Sequence, residues 1–257
     1  ATTEIYTLSL HDALLIWESK FHKHLSKIKI EHDDIMKSDE ALSKWLKLLI
    51  KYGFSIIKNS PIEKKSAFKI LNRISHVRET FFKTPFEVIN IHKPNNAAYT
   101  SAGLFNHTDL PYFEYAPGYQ FLHCLINESK GGDSSVVDGY AVADYIKKNI
   151  PNIFNQLINT PIKFKDNDYT QNKTRIIHSP IITLDENKDY SDIRFNISTV
   201  GAFDIHPNKM KKFYSAYRKF ASLVHEKKFT VNFRLQAGYI LCFDNRRVLH
   251  GRTSFDP

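Results

Sequence analysis

From residue 86 onward the chain consists of short apolar runs separated by turn residues, and this pattern limits the fold more than any other feature. The runs are rich in β-branched and aromatic residues, which is typical of strands. Many short strands with a few helices predict a mostly β fold with flanking helices, in the form of a double-sheet jelly roll. We predict strands at residues 86–91, 119–126, 134–138, 161–165, 175–184, 192–198, 229–235 and 238–243.

Helical periodicity is strongest before residue 86 and returns twice later in the chain. Apolar residues recur three and four positions apart, as on the buried face of an amphipathic helix. No repeat or linker divides the chain. We therefore expect a lead-in segment over residues 1–38 and one domain over residues 39–257. The predicted helices are 39–52 and 62–80, with a strand at 54–57 between them, then 140–158 with a break or new start at Pro151, and 208–226.

The charge and the cysteines limit the partners and the compartment. The net charge is +9, but the lysines are scattered and do not alternate with aromatic residues as in a base-stacking sheet. We expect a solvated lysine-rich surface and no nucleic-acid partner. No apolar run approaches the length of a membrane span, so no membrane partner is expected. Cys124 and Cys242 each lie within an apolar run, which predicts buried reduced thiols and a cytoplasmic location.

Two His-x-Asp triplets occur, at His32-Asp33-Asp34 and at His107-Thr108-Asp109. Alternate residues of an extended segment point the same way, so such a triplet can aim an imidazole and a carboxylate at one point. The first triplet has no strand pattern around it, and we predict a solvated loop or helix end there. The second has a distant candidate partner, His250, at the end of a strand-like run. Two imidazoles and one carboxylate can hold a non-haem Fe(II) on one face. Taken alone, however, His250 would be interpreted as a surface histidine.

Five sequence blocks occur in an order that resembles a known family. The chain strongly resembles the γ-butyrobetaine dioxygenase and trimethyllysine dioxygenase branch of the taurine-dioxygenase-like superfamily, from about residue 40 to the end. The resemblance implies a double-stranded β-helix fold. The blocks are His107-Thr108-Asp109, Pro117-Gly118-Tyr119-Gln120-Phe121-Leu122-His123-Cys124, Gly131-Gly132-Asp133-Ser134, Val137-Asp138-Gly139 and Phe243-Asp244-Asn245-Arg246-Arg247-Val248-Leu249-His250-Gly251-Arg252.

The resemblance implies a cofactor, a co-substrate and residues that hold them. It implies Fe(II), 2-oxoglutarate and O2, with His107, Asp109 and His250 as the iron ligands at the catalytic centre. Ser134 matches a hydroxyl that in relatives helps to hold 2-oxoglutarate, although it could equally be a turn residue before a strand. Oxidative decarboxylation of 2-oxoglutarate would accompany hydroxylation of a small-molecule substrate. The resemblance also allows a homodimer.

The resemblance further implies a substrate pocket for a quaternary ammonium acid, most simply γ-butyrobetaine, which is converted to carnitine. A quaternary cation cannot donate a hydrogen bond, so aromatic ring faces are its natural partners. Tyr99, Phe86 and Phe82 match cage positions in the family, with core packing as the alternative. Asn96 and Asn196 match asparagines that contact the substrate carboxylate.

Two departures from the family pattern leave alternatives open. Phe82 and Phe86 stand where larger aromatic residues are usual, which favours a relative that hydroxylates or desaturates another small amino acid or metabolite. An arginine past the distal histidine pairs with 2-oxoglutarate in the family, and the chain stops at Pro257 before that position. We therefore expect an incomplete C-terminal end, with a catalytically inactive binding protein on the same fold as the remaining alternative.

Overall fold

Two four-stranded sheets form the centre of the molecule. The computed structural model describes residues 14–82, 85–89, 92, 97–169 and 171–256. One sheet has the strand order β1-β2-β11-β4 and the other β10-β5-β12-β3, while β6-β7 and β8-β9 form two hairpins. The strands are β1 (Lys29–Glu31), β2 (Phe54–Lys58), β3 (Leu104–His107), β4 (Tyr119–His123), β5 (Ser134–Asp138), β6 (Ile162–Asp168), β7 (Lys173–Ser179), β8 (Ile182–Leu184), β9 (Tyr190–Ile193), β10 (Thr230–Phe233), β11 (Ile240–Asp244) and β12 (Val248–Arg252).

The last two strands insert into the middle of the two sheets. β11 pairs with β2 and β4, and β12 pairs with β5 and β3, all antiparallel. Residues such as Val136, Phe243 and Val248 are fully buried in one apolar cluster to which both sheets contribute. Each such side chain contributes about 1.5–3 kcal/mol through burial. Strands that are far apart in sequence thus become neighbours, and β12 lies between β5 and β3 in one sheet.

Helices flank the sheets, which confirms the predicted mostly β fold with flanking helices. The predicted helix 39–52 is confirmed, and its ends have clear causes. Ser38 Oγ accepts the Ala41 amide at 3.2 Å, and Gly53 ends the helix with φ 73°. The helices are the 3-10 helices Ser19–Ile28 and Ala97–Tyr99, and α1 (His32–Lys37), α2 (Asp39–Tyr52), α3 (Ala67–Leu71), α4 (Gly139–Asn149), α5 (Pro151–Asn159) and α6 (Pro207–Leu223).

The predicted helix 62–80 is wrong in extent, because only Ala67–Leu71 is α-helical. Ile62 and Ile74, on either side of this short helix, are 58% and 41% exposed. Lys65 has φ 69°, in the left-handed region that interrupts a right-handed helix. The predicted new start at Pro151 is confirmed, since proline is the first residue of α5.

Three predicted strands also differ from the structure. The prediction for 86–91 is wrong over residues 86–89, which form no strand, and residues 90 and 91 lie outside the described residues. The segment 175–184 forms two strands, because Pro180 lacks the amide hydrogen that a continuous ladder requires. The strand expected over 192–198 ends at Ile193, and the chain then turns toward Thr108.

His32 is the first residue of α1, so the predicted helix end is confirmed. Its side chain is only 7% exposed, so the predicted solvation of this residue is wrong. Ile35, three residues later, is fully buried, so His32 and Ile35 share the face of α1 that contacts the core. Asp33 and Asp34 are exposed. The division of the chain at residue 38 stays a prediction.

Both cysteines are free, with Cys242 buried and Cys124 partly buried. Burial raises the pKa of both thiols above the ordinary cysteine value. Among the helices in the described residues, none is long and apolar enough to cross a membrane.

Candidate metal centre

The pairing of β3 with β12 brings together two histidines that are far apart in sequence. His107 is the last residue of β3, and it is the direct cross-strand partner of His250 in β12. The centroids of the two imidazole rings are 4.4 Å apart. β12 continues to pair with β5 on its other side, so the backbone of His250 is held within the sheet.

Asp109 completes a three-residue group. Its Oδ1 lies 3.2 Å from Nε2 of His107, and its Oδ2 lies 3.6 Å from Nε2 of His250. One donor atom from each of the three residues lies within 4.8 Å of the others. The predicted triplet and its distant partner therefore meet at one point, whereas His32-Asp33-Asp34 is not part of any such group in the described part of the chain.

Backbone and side-chain contacts orient the first histidine. Nδ1 of His107 lies 2.7 Å from the carbonyl oxygen of Phe105. A carbonyl can only accept, so Nδ1 carries a proton, and Nε2 is the ring nitrogen that faces Asp109 and could bind a metal once its own proton is lost. Histidines that bind metals usually have such a partner on the other ring nitrogen. On the other side of the site, the ring of Phe243 lies 4.5 Å from that of His250 and covers it.

Two residues that hold Asp109 had no role assigned from the sequence. Gln120 donates from Nε2 to Oδ2 of Asp109 at 3.0 Å. Asn245, which is fully buried, accepts the amide of Asp109 at 2.7 Å and donates to its carbonyl at 3.0 Å. Both residues lie in the sequence blocks that carry the resemblance. The signal that could have found Asn245 is a polar amide between two apolar strands, because a buried amide requires partners.

The protonation states of the three triad residues favour the binding of a cation. Burial raises the pKa of Asp109, but the charge of His250 and the hydrogen bond from His107 outweigh it and hold that pKa well below its usual range. Burial and the charge of His107 lower the pKa of His250 to about 4. Burial also disfavours a charge on His107, but the bond to Asp109 outweighs it and raises the pKa of His107. At neutral pH, an ionised carboxylate and the neutral His250 ring are therefore available as ligands.

The donor set fits Fe(II). Two imidazole nitrogens and one carboxylate oxygen on one side of a point are the ligands of non-haem iron oxygenases, and they leave positions open on the other side. His107 and His250 project from paired strands and Asp109 from the next turn, so all three donors approach from the protein side.

Ser134 begins β5 and pairs with Arg252, while Val136 pairs with His250. Alternate residues of a strand share a face, so Ser134 lies on the same sheet face as His250. The side chain is partly buried. Its contact with 2-oxoglutarate stays a prediction.

The three predicted cage aromatics are consecutive neighbours in space. The ring centroids of Phe82 and Phe86 are 5.1 Å apart, and those of Phe86 and Tyr99 are 5.4 Å apart. Phe81 extends this group, since its ring centroid is 4.2 Å from that of Phe82. We call Phe81, Phe82, Phe86 and Tyr99 the aromatic cluster. Their contact with a substrate stays a prediction.

The two predicted substrate asparagines have different outcomes. Asn196 donates from Nδ2 to the carbonyl of Thr108 at 3.4 Å, which sets it beside the segment between His107 and Asp109. Its Oδ1 accepts the amide of Ser198 at 3.0 Å. Asn96 lies outside the described residues. A substrate role for either residue stays a prediction.

The fold and the triad together define a class, the jelly-roll oxygenases with a His-Asp-His metal site. A family model described as "Taurine catabolism dioxygenase TauD, TfdA family" matches residues 19–257, and the chain belongs to this family. The predicted recognition and the predicted double-stranded β-helix are thereby confirmed. The family is one of Fe(II)- and 2-oxoglutarate-dependent dioxygenases, and the triad fits the iron.

Named relatives lie in the predicted branch. A "Gamma-butyrobetaine dioxygenase" of Pseudomonas sp. (strain AK-1) is 36% identical over 241 residues, which cover 92% of this chain and 62% of the relative. A human "Gamma-butyrobetaine dioxygenase" is 34% identical over 230 residues, covering 88% of this chain and 59% of the relative. The chain thus spans about three fifths of the length of the relatives it matches.

A solved structure supports the fold. An asparagine oxygenase in complex with Fe(II), 2S,3S-3-hydroxyasparagine and succinate superposes with a TM-score of 0.63 at 13% identity. The match covers 97% of this chain and 76% of that protein. At this identity the likeness carries the fold alone.

Proposed function

We propose that this chain is the oxygenase part of an Fe(II)- and 2-oxoglutarate-dependent dioxygenase that hydroxylates a small quaternary ammonium acid, most simply γ-butyrobetaine. The observation that carries the proposal is the triad, with donor atoms from His107, Asp109 and His250 within 4.8 Å of one another. The family match supports the co-substrate, and the similarity to γ-butyrobetaine dioxygenases supports the substrate class.

In this proposal the protein residues hold the metal, orient its ligands and shield the site from water. Bound Fe(II), with 2-oxoglutarate and O2, supplies the chemistry that yields succinate, CO2 and a hydroxylated product. Nε2 of His107 and of His250 would provide neutral ligands to the metal, and Asp109 would provide the one negative charge of the triad. Gln120 and Asn245 fix the rotation and the backbone of Asp109. Phe243 covers the ring of His250 and keeps water from that side.

The aromatic cluster is the proposed site for the trimethylammonium group. Ring faces attract a quaternary cation with about 0.5–1 kcal/mol at exposed sites and about 2 kcal/mol when water is excluded. Phe86 and Tyr99 are partly buried, and their rings are tilted by 37° to each other, so they present two walls. Asn196, beside the triad, is the proposed contact for the substrate carboxylate.

A second candidate is a relative that hydroxylates or desaturates another small amino acid or metabolite. The observation that favours it is the composition of the aromatic cluster, which contains three phenylalanines and one tyrosine among the described residues. A phenylalanine ring attracts a cation less strongly than a tryptophan ring does. A homodimer and a cytoplasmic location stay predictions for either candidate.

The two candidates can be separated by substrate-triggered succinate release. The protein, loaded with Fe(II) and 2-oxoglutarate, is given γ-butyrobetaine, its dimethylamine analogue, or 5,5-dimethylhexanoate, in which a neutral carbon replaces the charged nitrogen. If the aromatic cluster recognises the cation, γ-butyrobetaine should exceed the carbon analogue by about tenfold or more in kcat/KM, since about 1.4 kcal/mol corresponds to tenfold. Equal values for γ-butyrobetaine and the carbon analogue contradict cation recognition, and release triggered only by other small amino acids supports the second candidate.

A further inference from the structure

Arg194 is a buried arginine that binds the loop following the metal ligand Asp109. It lies directly after β9 and is 8% exposed. Its Nη1 donates to the carbonyls of Pro111 at 3.0 Å and Phe113 at 2.7 Å, and its Nη2 donates to the carbonyl of Glu114 at 2.8 Å. Three main-chain carbonyls of one short loop thus converge on one guanidinium group.

The guanidinium is held in place by a carboxylate on the same segment. Nε of Arg194 donates to Oδ2 of Asp192 at 2.6 Å. Burial raises the pKa of Asp192 although the charge of Arg194 opposes it. The Arg194 amide also donates to the carbonyl of Ile181 at 2.9 Å. The contacts with Asp192 and Ile181 therefore fix the position of the guanidinium group independently of the loop that it binds.

The loop has a conformation that needs support from outside. Leu110, directly after Asp109, has φ 51°, in the left-handed region. A residue with a Cβ is strained in that region. The three carbonyl contacts of Arg194 are long-range bonds that oppose relaxation of this turn. If they were lost, a shift at Leu110 would pass directly to Asp109.

The same loop reaches the aromatic cluster at its other end. The ring centroid of Phe113 lies 5.9 Å from that of Phe81. On the near side of Asp109, the amide of Thr108 donates to the carbonyl of Phe195 at 2.7 Å, and the amide of Phe195 donates to Oγ1 of Thr108 at 3.0 Å. The segment that contains Arg194 therefore contacts the chain on both sides of the metal ligand.

We propose that Arg194 is a positioning residue that fixes the Asp109 carboxylate relative to the two histidines and fixes Phe113 against the aromatic cluster. This inference rests on the proposed function, because it takes the triad as a metal site. Arg194 thereby links the geometry of the metal ligands to the shape of the proposed substrate pocket. Lysine cannot replace Arg194 in this role, because one ammonium group cannot reach three carbonyls and a carboxylate in a fork.

The test uses Arg194→Lys and, as a matched control, Arg234→Lys. Arg234 also donates to three main-chain carbonyls, those of Asn127, Ser129 and Gly131, but its loop carries no member of the triad. Each protein is loaded with Co(II) alone. The visible spectrum then reports ligand geometry, a titration reports the Kd, and a thermal melt reports global stability. No turnover is needed for any of these readouts.

We expect Arg194→Lys to change the Co(II) spectrum and to raise the Kd by about 10- to 100-fold, the usual range for residues that orient metal ligands. Arg234→Lys should keep the wild-type spectrum and Kd, even if its Tm falls. A purely structural Arg194 would lower the Tm and leave the spectrum of the folded fraction unchanged, and that result overturns the inference.

Asp192→Asn provides a second, milder variant if Arg194→Lys does not fold. It keeps the guanidinium but weakens the contact that holds it, so it should shift the spectrum in the same direction and by less. An unchanged spectrum in Asp192→Asn would then overturn the inference. If wild-type protein binds no Co(II), the proposed function and the inference both fall; if wild type binds and Arg194→Lys behaves identically, only the inference falls.

Discussion

The buried ion pair between Asp138 and Arg247 allows a quantitative prediction of stability. The exposed fractions of their side chains are 0% and 2%. Arg247 donates to both carboxylate oxygens, from Nε at 3.1 Å and from Nη2 at 2.7 Å. The amides of Trp17 and Tyr140 also donate to this carboxylate, each at 3.1 Å. Asp138 therefore accepts four hydrogen bonds with no water to replace them.

The change to make is Asp138→Asn, which keeps the shape and removes the charge. The buried guanidinium of Arg247 would lose its counter-charge, and breaking a buried pair in this way costs about 3–5 kcal/mol. For a chain of this size each kcal/mol lowers Tm by about 2–4 °C, so we expect a fall of about 6–20 °C. Urea unfolding followed by circular dichroism should give a matching loss in the free energy of unfolding.

An exposed pair provides the control. Lys64 and Glu87 are 67% and 44% exposed, with Nζ 2.9 Å from Oε1, and Glu87→Gln removes the same charge at the surface. It should cost less than about 1 kcal/mol. A loss below about 1 kcal/mol for Asp138→Asn as well would refute the reasoning, because the burial of the pair would then have no energetic consequence.

Three further predictions concern the triad. His107→Ala should abolish Mn(II) binding measured by titration, whereas His32→Ala should keep it; loss of binding in His32→Ala would mean that His32 takes part in the metal site. Gly251→Ala should destabilise the fold by about 1–3 kcal/mol and weaken Mn(II) binding, because a Cβ there would lie 2.6 Å from the carbonyl oxygen of Leu104; Gly118→Ala, whose Cβ would meet nothing closer than 3.5 Å, should do neither. The raised pKa of His107 means that its proton competes with the metal, so the apparent Kd should increase about tenfold for each pH unit below that pKa, with one proton released per Mn(II). His250, with its pKa near 4, and the ionised Asp109 should release none near neutral pH, and a release of two protons would contradict this assignment.

The triad could be predicted from the sequence because its three residues lie in two of the ordered blocks that carry the family resemblance. His107 and Asp109 are two residues apart in one block, and His250 lies in another, which runs from residue 243 to residue 252. The cross-strand pairing of His107 with His250 did not follow from either segment alone. It depends on β12 entering the sheet between β5 and β3, which is a property of the whole topology.

The residues that support the site could not be predicted in the same way. Arg194 lies within the strand predicted over 192–198, whereas in the structure β9 ends at Ile193, directly before it. Its partners are carbonyl groups, which any residue type supplies, so the loop sequence carries no trace of the contact. The helix expected over 62–80 failed for a related reason, because its apolar spacing was helical while Lys65 takes a left-handed conformation that spacing does not encode.

The position of the ligands within their sheet has a consequence for how a metal would leave. His250 lies on β12, which is paired on both sides, whereas His107 ends β3, which is an edge strand of that sheet among the described residues. An outer strand can open with much less free energy than global unfolding requires. Release of the metal would then begin with detachment of His107 and Asp109 while His250 stays in place. The exchange rate should accordingly depend weakly on urea, because opening one short strand exposes little surface.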